Sequence, residues 1–457
     1  MNNSQEIVVL GGGESGVGAA ILAKEQGQPV FLSDSGAIPP ARKAELQAAQ
    51  NQIPFEENGH TTERILRARA VVKSPGIPTS APLVQQLMQQ GTPVLSEIEY
   101  AYPYIPADTT LIGITGSNGK TTTTCWLHYL LTLGGADAAL AGNVGFSLAR
   151  QVARDPHQCY VIELSSFQLD HMYRFRNHVS ILMNITPDHL DRYNHSFTEY
   201  ALAKMRILQN MTQDDYFVYR QEDPFITRYL AEHPVPCRLL PFTTQADPTA
   251  SAYATDTELV ATVEGRTYTI ALDRIILPGK HNLQNAMAVV LSALALNQSP
   301  TVITQALTTY RNQPHRLEPV GNLDGVAYIN DSKATNISST QYALEAVTTP
   351  VVLILGGTDK GNDYNDLMPF VQNKVVGMVF LTPHDEKLQA AFGNLFPHVT
   401  ALSMEEAITQ ARRMAPEGST VLLSPACASF DLFKNYEDRG DQFRSVVQGL
   451  IRTEGKE

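Results

Sequence analysis

The run Leu111-Ile112-Gly113-Ile114-Thr115-Gly116-Ser117-Asn118-Gly119-Lys120-Thr121-Thr122 constrains this chain more than any other. A short β-branched stretch passes into a glycine-containing loop, a lysine and hydroxyls, and then into a helical pattern. That order demands a strand feeding the N-terminus of a helix, with a parallel α/β sheet around it. Backbone N–H groups, the Lys120 ammonium and a hydroxyl converge there, and together they hold a polyphosphate. The residue types assign the β- and γ-phosphates to Lys120 and a Mg²⁺ ion to the Thr121 hydroxyl. Gly116, Ser117, Asn118, Gly119 and Thr122 complete the candidate ATP loop, and the helix is predicted to begin near Thr123. Ile114 stands where the first glycine of GxxxxGK[ST] belongs, so the match is to a shorter loop variant.

Around this loop, 457 residues are too many for one hydrophobic core. The runs Ile7 to Leu10, Val30 to Leu32 and Ala70 to Val72 alternate with helical stretches and predict a first parallel α/β domain over 1–96. The Tyr/Pro-rich segment 100–106 then breaks the pattern. Strands at Leu111 to Ile114, Tyr160 to Ile162 and Val179 to Met183, followed by small antiparallel strands around 242–270, predict a middle domain over 97–312. Val326 to Ile329, Val351 to Leu355 and Val421 to Leu423 predict a third over 313–457. The expected class is α/β throughout: a Rossmann-like N-terminal domain, a central P-loop ATPase-like and mostly parallel sheet, and a Rossmann-like C-terminal domain.

Composition removes several alternatives. The net charge of -12 argues against a nucleic-acid partner, and 43% hydrophobic residues argue against disorder. Cys125, Cys159, Cys237 and Cys427 are scattered without a CxxC pair, which suggests neither zinc nor disulfides. The residues after Met1 lack a signal pattern, and the longest apolar stretch, 286–296, is too short for a membrane span. A cytoplasmic protein acting on small molecules, without membrane or nucleic acid, is expected. His128, Cys125, Trp126 and Cys427 are read as packing residues.

Three further clusters carry chemistry. Gly11-Gly12-Gly13-Glu14-Ser15-Gly16 satisfies GxGxxG after the first strand, with Asp34 after the second; this suits a dinucleotide or the UDP part of a sugar nucleotide. Glu163 ends the strand Tyr160 to Ile162, where a carboxylate suits Mg²⁺, and His189 lies in the polar run 184–193 after the next strand. Lys204 has Tyr200, Ala201, Ile207 and Leu208 on its own helix face. Such a lysine either snorkels to solvent or loses its proton, and a neutral amine adds CO₂ to give an anionic carbamate.

The order of these motifs resembles the Mur ligase family over essentially the whole chain. Thr115 to Thr121 resembles its ATP loop, Glu163 to Leu169 its central-strand motif, and Pro278 to Asn285 its Gly-x-His-Asn-x-x-Asn segment. His315-Arg316, Asn330 to Asn336 and Ser424 to Asp431 resemble third-domain motifs, the latter two most like members that add D-glutamate. The resemblance implies ATP-dependent joining of D-glutamate to UDP-N-acetylmuramoyl-L-alanine through an acyl phosphate, in peptidoglycan precursor synthesis, with ATP and two Mg²⁺ ions. It implies ATP contacts from Asn282, Asn285, Arg316 and Asp331, and a glutamate site of Lys333, Thr335, Lys360, Ser429, Phe430 and Tyr436. It places UDP at Glu14, Ser15, Asp34, Ser35, Ser74 and Gly76, with Asn143, Ser165 and Gln168 completing the UDP-substrate site. Lys120, Glu163, His189, Lys204 and Arg316 become the catalytic set, with Lys204 carbamylated and supporting a second Mg²⁺ beside His189. A monomer is expected, with hinges near residues 96 and 312 that let the domains close on their ligands. A sister ligase with another acceptor shares the ATP machinery, and a nicotinamide-dependent oxidoreductase would use the glycine turn but leave the phosphate loop without a role.

Overall fold

The computed structural model describes residues 6–359 and 361–454. Its chain separates into two compact units, one of Met1–Ile275 with Gln284–Thr309 and one of Ile276–Leu283 with Tyr310–Glu457. The first unit holds two sheets. In the N-terminal sheet the order is Phe55–Glu56, Val30–Ser33, Ile7–Leu10, Ala70–Lys73, Val94–Leu95, all parallel. Its inner strands are buried over their whole length, which is why they read as continuous apolar runs instead of alternating ones.

The second sheet has nine strands. Thr110–Thr115 lies between Val179–Leu182 and Cys159–Glu163, parallel to both, so the phosphate loop leaves the sheet with polar loops on either side. Ala252–Ala254, Glu258–Val263 and Arg266–Ala271 form the antiparallel edge that the Thr-rich stretch predicts. In the second unit six strands run in the order Glu318–Leu323, Val326–Asn330, Thr420–Leu423, Val351–Leu355, Val375–Leu381, His398–Ala401, antiparallel only at the first. Among the described residues no helix is long and apolar enough to cross a membrane.

A polar seam joins the two sheets of the first unit. Helix Glu14–Glu25 packs on helix Leu148–Arg154, and Gly18 makes the approach possible, since a Cβ there would stand 2.0 Å from Ser147 Oγ. Arg150 pairs with both Glu14 and Glu45, and Arg42 with Glu14 at 2.6 Å. Glu97, buried beneath them, accepts hydrogen bonds from Ser147 Oγ and Ala149 N. Burial pushes its carboxyl up to about 7, with those two hydrogen bonds pulling the other way.

The folded chain therefore holds the Glu97 proton to higher pH than the unfolded chain does. The associated stability is complete at low pH and is lost as pH rises from the ordinary 4.5 towards 7. Glu97→Gln keeps an acceptor for both donors and removes the titration. It is expected to stabilise the protein by about 1–3 kcal/mol near pH 8 and to leave it unchanged near pH 4. Thermal melts across that range check this, and parallel curves for the two proteins would contradict it.

Candidate active site

The phosphate loop is fixed by the residues after the neighbouring strand. Ser117 N donates to Asn184 O, Asn118 N to Asn184 Oδ1 at 2.9 Å, and Ser117 Oγ to Thr186 O at 2.8 Å, while Ser117 Oγ also lies 2.9 Å from Tyr200 Oη. Gly119 has φ +85°, and a Cβ there would stand 2.6 Å from Asn285 Oδ1. Helix Lys120–Leu133 begins directly after it, three residues earlier than Thr123, because the left-handed glycine turns the chain at once into the helix. Thr121 and Thr122 are buried in its first turn.

Lys120 Nζ folds back to donate to Gly116 O at 2.8 Å and Ser117 O at 2.9 Å. Lys204 Nζ donates to the same Gly116 O at 2.9 Å and lies over the Tyr200 ring. Lys204 is 2% exposed, so it does not snorkel. Burial first, and the Lys120 charge second, hold its ammonium well below the ordinary lysine range, against the pull of Asp188, Glu163 and Asp170. Lys120, Lys204, Asn143, Ser165, Phe167, His189 and Gly76 line one cavity of about 350 Å³. Glu163 stands beside it, with Oε1 accepting from Asn143 Nδ2 at 2.8 Å and Oε2 buried without a hydrogen-bond partner. His189 has φ 51° and lies 3.7 Å from Asp188. Its backbone sits in a region that costs a non-glycine residue about 1–3 kcal/mol.

Among the described residues no three His, Cys, Asp or Glu side chains group as metal ligands. Mg²⁺ ordinarily takes one or two carboxylates, phosphate oxygens and water, and the orphaned Glu163 oxygen near the Lys120 loop fits that demand.

The glycine turn is organised from within. Asp34 accepts from Gly12 N at 2.6 Å and from Gly36 N at 2.8 Å, holding the turn that the dinucleotide reading would leave free for a ribose. Glu14 is taken up by Arg42 and Arg150 in the polar seam, so the structure gives it an ion-pair role. Ser35 is exposed and Ser15 half-buried. Ser74 Oγ is buried without a partner against Gly11, and the 75–77 backbone accepts from Arg192. Ser165 and Gln168 form the capping box of a short helix.

In the second unit a cavity of about 760 Å³ is lined by apolar residues from Ile276 to Pro278, Tyr310 and Ile329, with Asn282, Asn312 and Arg316 as polar contacts. Arg316 Nε is buried without a partner. Asp331 accepts from Leu317 N at 3.1 Å and Ser424 Oγ at 2.9 Å, and burial pushes its carboxyl up to about 7. Asn285 belongs to the first unit, where its Oδ1 accepts from Thr123 Oγ1. Lys333 Nζ lies 4.8 Å from the Tyr436 ring centre, Thr335 is half-buried, Ser429 is buried and Phe430 is 69% exposed. Lys360 lies outside the described residues. Sequence reading gave no role to Asn184, which ties down the phosphate loop, or to His281 of the Pro278 to Asn285 segment, whose imidazole burial pushes down to about 4.

Family models match three segments: a Mur ligase MurD-like N-terminal domain over 5–96, a Mur ligase middle domain over 114–293, and a Mur ligase glutamate ligase domain over 315–427. The chain is 54% identical to the UDP-N-acetylmuramoylalanine–D-glutamate ligase of Porphyromonas gingivalis, covering 97% of this chain and 99% of that one. It is 48% identical to the protein of that name from Bacteroides fragilis, over 98% and 100%. Among solved structures it is similar to UDP-N-acetylmuramate–alanine ligase from Thermotoga maritima, with TM-score 0.60 and 17% identity over 98% of this chain and 100% of that one. A pseudomurein peptide ligase from Methanothermus fervidus matches with TM-score 0.61 and 17% identity over 98% and 100%. These two share the fold. The chain belongs to the Mur ligase family and is an ATP-dependent, amide-bond-forming ligase.

Gly119→Ala combines left-handed strain with a clash against Asn285. It is expected to weaken ATP binding by about tenfold or more, as 1–3 kcal/mol of loop strain implies. Calorimetric titration checks this, and wild-type affinity in a correctly folded variant would contradict it.

Proposed function

We propose that the enzyme adds D-glutamate to UDP-N-acetylmuramoyl-L-alanine, a step of peptidoglycan precursor synthesis, acting as a cytoplasmic monomer. The observation that carries the reading is the meeting of Lys120 and Lys204 at Gly116 O beside a carboxylate with one unsatisfied oxygen. The Lys120 ammonium and the loop around it form a site for the charge of a polyphosphate, and the buried Lys204 amine beside it is the group that carbamylation would turn into a metal ligand. The names of relatives at 48–54% identity supply the donor and the acceptor.

In the reaction a carboxylate oxygen of the muramoyl-alanine attacks the γ-phosphorus of ATP, the bond to the β-phosphate oxygen breaks, and ADP leaves. The amine of glutamate, having lost a proton, then attacks the acyl carbon. The tetrahedral adduct expels phosphate and loses a second proton to give the amide. Lys120 turns from its own loop carbonyls to the migrating phosphoryl group, and the phosphate loop and its Asn184 and Thr186 tethers hold the nucleotide in line. Thr121, Glu163, His189 and a carbamylated Lys204 would hold two Mg²⁺ ions. When bound, these neutralise phosphoryl charge.

Carbamylation would resolve an electrostatic conflict, since a buried amine beside Lys120 becomes an anion. Asn282, Asn285, Arg316 and Asp331 are proposed for ATP. Asp34, Ser35, Ser74, Gly76, Asn143, Ser165 and Gln168, with Ser15 at the glycine turn, are proposed for the UDP substrate. Lys333, Thr335, Lys360, Ser429, Phe430 and Tyr436 are proposed for glutamate.

Phosphate release from ATP and Mg²⁺ with UDP-N-acetylmuramoyl-L-alanine is expected only when D-glutamate is added. L-glutamate, L-lysine and meso-diaminopimelate are expected to be inert, and turnover with one of these would move the enzyme to a sister activity. Lys204→Ala is expected to lose at least about a hundredfold in kcat. With [¹³C]bicarbonate, a carbamate carbon is expected in the wild type and absent in the variant; its absence from both would remove the modified lysine from the account.

A further inference from the structure

In the second unit, the loops after three adjacent parallel strands, Val326–Asn330, Thr420–Leu423 and Val351–Leu355, meet one side chain of helix Tyr436–Glu454. Arg439 is 1% exposed. Its Nε donates to Ser332 Oγ at 2.9 Å, and its Nη2 donates to Ser332 O at 2.8 Å and Cys427 O at 3.1 Å. Ser332 Oγ in turn donates to Tyr436 O at 2.8 Å. The third loop reaches the guanidinium through Gly357, whose φ of +139° brings its backbone so near that a Cβ would stand 3.2 Å from Nη1 and 2.1 Å from Ala428 O.

These bonds use three of an arginine's five N–H donors. Nη1 is buried with no acceptor. Asp331 and Asp431 act on the guanidinium only through the field, and among the described residues no carboxylate forms an ion pair with it. A buried cation without an ionic partner costs several kcal/mol, of the order that its three hydrogen bonds to neutral oxygens return, and Nη1 is left over with no acceptor. Tying the loops together therefore gains little by itself, and the remaining charge is available to an anion. The residues it holds flank Lys333, Ser429 and Tyr436, and the acceptor they are proposed to take carries two carboxylates.

We propose that Arg439 is a positioning residue for the incoming amino acid: it sets the three loops that form the acceptor site and supplies a buried counter-charge to the acceptor's carboxylates. This rests on the reading of the second unit as the glutamate-binding part. The guanidinium touches neither ATP nor the reacting carbonyl in this role. Its loss is felt in acceptor affinity, and the chemistry of carboxylate activation continues.

Arg439→Met removes charge and fork, Arg439→Lys keeps the charge alone, and Ser332→Ala removes one tether and keeps the arginine. Phosphate release is measured with D-glutamate varied at saturating ATP and UDP-N-acetylmuramoyl-L-alanine, and then with each of these varied in turn. The KM for D-glutamate is expected to rise about tenfold or more in Arg439→Met and by less in the other two, with the other KM values within about twofold of wild type. An unchanged KM for D-glutamate, or equal changes in all three KM values, would overturn the proposal. If Arg439→Met fails to fold by circular dichroism, the Lys and Ser332 variants decide on the same criterion. If the wild type shows no turnover with D-glutamate, the acceptor assignment fails first, and the variants are read on the amino acid it does accept.

Discussion

At Gly116 the carbonyl oxygen accepts from Nζ of both Lys120 and Lys204, and the architecture of the first unit serves to hold that arrangement. Like charges this close repel, and the repulsion is felt by the more deeply buried partner, Lys204. Strand Thr110–Thr115, inside the nine-stranded sheet, sets the loop that carries the carbonyl, and the neighbouring strands deliver Glu163 and the Asn184 tether on either side. A polyphosphate supplies anionic oxygens to Lys120 in place of the carbonyl. The loop is thus poised to gain more from ATP than from water.

Some of the backbone strain lies in loops near the candidate site residues. His189, His315, Leu317 and Ala426 all have positive φ without being glycine, and each sits in a polar loop that follows a strand or borders the Arg316 and Ser424 segments. The hydrophobic sheets that carry these loops, with strands such as Val351–Leu355 buried throughout, over-determine the backbone and keep those conformations populated. Polar residues do the joining: the Arg150 and Glu97 seam in the first unit, and Arg439 in the second.

Much of this is written in local sequence. Continuous apolar runs such as Val351 to Leu355 have one reading in an α/β chain, and the Gly-Lys-Thr loop has one position, between a strand and a helix. The apolar face around Lys204 left snorkelling and burial open, and the fold buries it. What sequence could not carry is contact made by long-range folding. Nothing in Tyr436-Glu437-Asp438-Arg439 separates a buried arginine from a solvated helical one, and Glu14 reads as part of a nucleotide turn until Arg150 is brought to it from the helix Leu148–Arg154. Asn184 looked like a strand-end polar residue because its partner, Asn118, is 66 residues away.

The central claim is that the phosphate loop activates a carboxylate, and the fate of one oxygen atom tests it. UDP-N-acetylmuramoyl-L-alanine labelled with ¹⁸O in its alanyl carboxylate is turned over with ATP, Mg²⁺ and D-glutamate, and the released phosphate is analysed by mass spectrometry. Phosphoryl transfer to the carboxylate leaves one labelled oxygen in each phosphate formed. Unlabelled phosphate, with the label retained in the amide product or lost to water, would mean that ATP is cleaved without forming an acyl phosphate, and the mechanism built on Lys120 and Lys204 would be wrong.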